Sequence, residues 1–151
     1  MKKVFYWIDA INKNTGTVSH FSQKGYFTEC RESALYASKE KCLADFEEYE
    51  ENTTENVFNS YDYQLKSEER DTDLKTFELL PINDGKKSFY KKAFVKETIT
   101  GKALYSYDTK VCEISDGAFF FGPLWNCSRT TKRHVKEFLL QNGFKRLAKG
   151  K

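Results

Sequence analysis

Turn chemistry recurs along this chain at spacings that leave room only for short strands and a few helices. The stretches NKNTG (12–16), PINDGKK (81–87), TGK (100–102) and SDG (115–117) each combine residues that accept a positive φ or, like Pro81, cannot donate in a ladder. The apolar runs between them are brief: 4–11, 17–21, 60–65, 75–80, 89–98, 103–114 and 118–121. Runs of that kind closed by tight turns predict antiparallel hairpins.

Two segments carry helical periodicity instead. After Ser38, a natural N-cap, Cys42, Leu43, Phe46 and Tyr49 share one face and Glu40, Glu47, Glu48, Glu50 and Glu51 fall mostly on the other, predicting a helix over about 39–50. Ser128 caps a second predicted helix over about 129–142, whose inner face holds Thr131, Val135, Phe138 and Leu139 and which Asn142-Gly143 ends. Trp125 lies near the staple region before that cap. The fold expected is therefore α+β: an antiparallel sheet built from hairpins, with both helices packed on the same sheet. At 151 residues the chain is expected to form one domain over 1–151, with 144–151 a frayed basic tail, and aromatics at 16% imply a core of large rings.

The first apolar run, 4–8, stops at Asp9, too short for a signal peptide or a membrane span, so a cytoplasmic protein without a membrane partner is expected. In that compartment Cys30, Cys42, Cys112 and Cys127 are expected as free, partly buried thiols. Charge is divided more sharply than the net +3 suggests: residues 29–73 hold 14 acidic against 5 basic side chains, and 74–151 hold 16 basic against 7 acidic. Such asymmetry bears on partners, because complementary fields steer encounter.

Motifs for chemistry are sparse. Cys112, Cys127 and His134, with His20 or Cys30, supply ligand types for zinc, but no CxxC or HxxxH pair brings two together. Cys127 and His134 are seven positions apart, with Cys127 ahead of the cap, so roughly 10 Å of helical rise separates a nucleophile from its base. His134 is therefore expected at the surface or boundary of its helix. Asp108, Lys110 and Glu113 are nuclease-like, yet strict alternation puts Glu113 on the opposite face from the other two. No Walker loop, GxGxxG, GxSxG or HExxH occurs. The expectation is a non-catalytic protein with neither metal nor cofactor.

Two surfaces remain. The basic segment Arg129, Lys132, Arg133, Lys136, Lys145, Arg146, Lys149 and Lys151, opposed only by Glu137, suits phosphate. The acidic 29–73 region suits docking on a basic, nucleic-acid-binding surface.

The stretch SYDT (106–109), Trp125 and SRTTKRHVKEFL (128–139) resembles a domain of unknown function found in small bacteriophage and mobile-element proteins. The matching positions are Tyr107, Asp108, Thr109, Trp125, Ser128, Thr130, Thr131, His134, Val135, Phe138 and Leu139, within about 104–140. The resemblance implies a phage or mobile-element origin and no known chemistry. Joined to the charge pattern, it leads to the expectation of an accessory protein that binds and inhibits a host protein, such as a nucleic-acid-dependent defence enzyme or CRISPR effector, through Glu40, Glu47, Glu48, Glu50 and Glu51. The alternatives are a nucleic-acid-binding module using Arg129, Lys132, Arg133 and Lys136, a metal-dependent nuclease, and a phage structural protein.

Overall fold

Short strands closed by tight turns build two antiparallel sheets in the computed structural model, which describes residues 1–22, 26–85, 89 and 91–149. With four helices beside them the fold is α+β. Contacts along the chain gather into two compact units, Met1–Asp73 and Leu74–Lys151. The single sheet carrying both helices is thus corrected: each long helix has a sheet of its own, because a sheet face wide enough for one helix forms within each half of the chain.

In the first unit, β1 (Lys2–Asn12), β2 (Val18–Phe21), β3 (Phe27–Thr28) and β4 (Tyr61–Asp71) stand in the order β3-β2-β1-β4. Gly16 takes φ 73° in the β1–β2 turn, the geometry its lack of a Cβ permits. β1 pairs with β4 along its whole length, from Lys2 opposite Asp71 to Asn12 opposite Tyr61. That partner explains why β4 runs past the expected end at 65 through the mostly charged residues 66–71, whose side chains alone do not favour a strand. Even-numbered residues of β1 face α1 (Lys39–Asn52), and Ile8 shares a buried cluster with Phe21, Tyr36, Cys42 and Tyr49. Rings dominate it: Phe46 meets Tyr63 at 4.9 Å and Phe58, from the short α2 (Glu55–Phe58), stacks on Tyr63 at 4.8 Å.

The second unit is a meander, β5 (Thr76–Glu78), β6 (Ala93–Glu97), β7 (Gly101–Ser106), β8 (Thr109–Ser115) and β9 (Ala118–Phe121), in sequence order across the sheet. The strand expected over 103–114 is folded in half at Tyr107 and Asp108, whose φ values of 49° and 69° make a two-residue hairpin turn without Gly or Asn. The run expected over 89–98 enters the ladder only at Ala93, and Tyr90 lies outside the described residues, as do Lys86 and Lys87 of the predicted 81–87 turn. α3 (Arg129–Gln141) covers β7 and β8, burying Val135, Phe138 and Leu139 against Leu104, Val95 and Val111. Residues 145–149 are not frayed: they form α4 (Lys145–Lys149), with Ala148 buried and Phe144 packed on the core. The link is a Schellman turn in which Phe144 N donates to Leu139 O at 2.9 Å and Gly143 takes φ 85°. Gly150 and Lys151 lie outside the described residues.

Candidate functional site

The acidic helix comes first. Ser38 Oγ accepts from Lys41 N at 3.2 Å, opening α1, and Cys42 and Tyr49 anchor its inner face. Burial pushes the Cys42 thiol up to about 11, so it is an unreactive core group. Lys41 pairs with Asp45 at 2.8 Å, and Asp45 also accepts from Tyr36 Oη at 2.9 Å. Those bonds, Lys41's above all, hold Asp45 below the usual carboxylate range. Glu40, Glu47, Glu48, Glu50 and Glu51 are all exposed. Among the described residues no cation lies within ion-pair distance of them, so the outer face of α1 is a strip of exposed carboxylates, of which Glu40 also accepts from Ser38 Oγ at 3.2 Å.

The basic helix is more divided than its sequence suggests. Ser128 Oγ accepts from Thr131 N at 3.0 Å and caps α3. Arg129, Lys132 and Lys136 are exposed. Arg133, by contrast, is clamped to both carboxylate oxygens of Asp84, at 3.1 and 3.2 Å, with its guanidinium 6.0 Å from the Phe89 ring centroid. The Asp84 carboxylate raises its already high pKa, and the fork is a structural clamp on the 81–85 segment. Glu137 is buried and accepts from Asn83 N at 2.6 Å, Asn83 Nδ2 at 2.8 Å and Gln141 Nε2 at 2.9 Å. These two anchors, Asp84–Arg133 and Asn83–Glu137, are invisible in helical periodicity because their partners come from a distant loop.

His134 is not at the surface: it is fully buried, correcting the expectation. Its Nδ1 lies 2.9 Å from Ser106 Oγ, and its ring packs T-shaped with Phe89, the centroids 4.7 Å apart. Ser106 Oγ is also 3.2 Å from Thr131 Oγ1, which is 3.0 Å from Ser128 Oγ and 3.6 Å from Cys127 Sγ. Much of the SYDT and SRTTKRH pattern therefore meets in one knot that ties the β7–β8 hairpin to the start of α3. Thr131 and Ser106 stand between Cys127 and His134, so the knot fixes a helix end and brings no direct Cys127–His134 hydrogen bond.

A bulge overturns the alternation argument on β8. Tyr105 pairs with Lys110 but Leu104 with Cys112, so Val111 is an extra residue and the side-chain parity shifts there. Lys110 and Glu113 consequently share a face, with Nζ 3.4 Å from Oε1, while Asp108 sits in the hairpin turn. His20 and Cys30 lie in the first unit, away in sequence from Cys112, Cys127 and His134 in the second. Among the described residues, no three His, Cys, Asp or Glu side chains gather in a group able to hold a metal ion.

One polar centre escaped sequence reasoning. On the face of the first sheet opposite α1, the buried Asp9 accepts from Trp7 Nε1 at 2.9 Å and lies 2.7 Å from both His20 Nδ1 and Lys66 Nζ. Beside it, Arg31 lies 4.5 Å over the Trp7 ring and pairs with Glu68 at 2.7 Å. The alternation of Trp7 and Asp9 hinted at a shared face, but nothing local named the cations.

Residues 77–151 match a family of unknown function (DUF8033), a span inside the second unit that contains the whole 104–140 stretch. A domain of unknown function therefore occupies this part of the chain. No curated protein and no solved structure matches the sequence. Among the described residues no helix is long and apolar enough to cross a membrane.

Proposed function

We propose that the chain acts stoichiometrically, docking the acidic face of α1 on a basic, nucleic-acid-binding surface of a host protein and excluding nucleic acid from it. The observation that carries this reading is the exposed strip of Glu40, Glu47, Glu48, Glu50 and Glu51, none within ion-pair distance of a described cation, on a helix anchored through Cys42 and Tyr49. The field of five exposed carboxylates along one helix favours a cationic groove of the kind that binds a phosphate backbone. In this proposal the protein comes from a phage or mobile element, and its target is a nucleic-acid-dependent defence enzyme such as a CRISPR effector.

The test uses tagged wild type and a Glu47→Lys/Glu48→Lys/Glu51→Lys variant, each incubated with nuclease-treated bacterial lysate. A protein held by the wild type, lost from the variant and displaced by added oligonucleotide is the expected result. Purified partner affinity should fall at least about 10-fold in the variant, and unchanged affinity would sink the reading.

A second reading places the ligand on the other unit. Residues 74–151 hold 16 basic and 7 acidic side chains, and Arg129, Lys132 and Lys136 are exposed along α3, with Lys145, Arg146 and Lys149 on α4. On this reading those cations bind nucleic-acid phosphates directly, and the affinity falls steeply with salt.

A further inference from the structure

The β7–β8 turn holds an aromatic side chain where a tight turn would ordinarily have Gly or Asn. Tyr107 and Asp108 sit at φ 49° and 69°, a left-handed pair that is unfavourable for residues with large side chains. The turn is fixed from both sides: Tyr107 N donates to Lys92 O at 2.9 Å, and Ser106 pairs with Thr109 beneath it. The Tyr107 ring lies 5.9 Å from the His134 ring, tilted by 40°, and the residue remains 51% exposed. His134 is itself held by Ser106, so the tyrosine has a rigid backing and one side open to solvent.

Basic residues occur on the two segments that hold this ring. Lys92, whose carbonyl holds the turn, is exposed, and on α3 Arg129 and Lys132 flank Thr131, the hydrogen-bond partner of Ser106. An immobilised, half-exposed aromatic whose supporting segments carry exposed basic residues suits an unstacked base whose phosphates meet those cations. The geometry points to Tyr107 as a stacking platform for a base of a single-stranded nucleic acid, with Lys92, Arg129 and Lys132 along its backbone. This rests on the second reading above and narrows its ligand, because a duplex offers the same phosphates but keeps its bases stacked. Every base has an aromatic face, so the platform serves RNA and DNA alike. Asp108, exposed on the same turn, opposes phosphate.

The full chain is titrated by fluorescence anisotropy into short labelled single-stranded DNA, single-stranded RNA and the matching duplex. Tyr107→Asn removes the ring while keeping a residue that tolerates a left-handed φ, and should weaken single-strand binding about 5- to 100-fold. Tyr107→Phe should stay within about twofold of wild type, since stacking uses the ring and not the hydroxyl. Duplex affinity should not move in either variant, and Asp108→Asn should tighten single-strand binding. If Tyr107→Asn binds single strands as wild type does while Arg129→Glu/Lys132→Glu fails to bind, the stacking role is overturned and the phosphate-binding reading survives. Equal losses on single strand and duplex would make Tyr107 a purely structural residue and overturn the inference. Failure of the wild type to bind any of the three overturns both.

Discussion

Asp9 shows how much a single buried carboxylate depends on its surroundings. Burial by itself raises its pKa, but hydrogen bonds from Lys66 and His20, and their charges, outweigh it and hold the group below the ordinary value of 3.8. A carboxyl depressed in the folded state contributes stability that is fully present above its unfolded pKa and is lost as pH falls through the lower folded value. Asp9→Asn should therefore cost about 1–3 kcal/mol at neutral pH, by leaving Lys66 and Trp7 with a poorer partner. The gap to wild type should begin to narrow below about pH 4, where the carboxyl of the unfolded chain takes up its proton, and close further as pH falls through the lower folded value. Urea denaturation at pH 7 and pH 3 checks both statements, and a gap that does not change with pH would remove the ion network from the account. None of this was legible in the sequence, because only the β1–β4 register brings Lys66 beside Trp7 and Asp9.

At the scale of elements, α3 separates what local chemistry specifies from what contacts specify. Its ends were readable, since Ser128 and Gly143 satisfy backbone groups within a few residues of themselves. Its interior was not: His134 and Glu137 look like surface residues in isolation, yet both are buried because Ser106 and Asn83 supply partners from elsewhere in the unit. A cap and a buried acceptor should differ in energy accordingly. Ser128→Ala should cost about 1 kcal/mol. Glu137→Gln, which turns one acceptor end into a donor facing donors, should cost about 2–4 kcal/mol despite its close shape. Chemical denaturation of the two variants side by side decides this, and a Glu137→Gln protein as stable as wild type would show that the Asn83 contacts carry little. The bulge at Val111 belongs to the same scale: strict alternation along β8 separates Lys110 from Glu113, and only the register of the ladder shows the extra residue.

For the whole molecule, the change of charge and the change of fold coincide. The sequence turns from acidic to basic at residues 73 and 74, which is also where one compact unit gives way to the next. Each unit thus carries its own sheet, core and sign of charge, and a field of one sign spread over one unit is what lets it select a partner. The second unit contains every ladder pairing of its sheet and its entire apolar cluster. A fragment spanning 74–151 should accordingly fold alone, giving a cooperative thermal transition and the circular dichroism of a mixed α and β protein. A fragment that melts without a transition would show instead that the two units are stable only together.

Hairpins, two helices with their caps, an aromatic core and the division of charge follow from the sequence by itself, because turn residues, periodicity and formal charge act over a few neighbouring positions. The number of sheets, the burial of His134 and Glu137, the Asp9 centre and the bent strand at Tyr107 were decided only by the tertiary structure. Each depends on a partner many residues away, and a polar or strained group becomes tolerable only once that partner is in place.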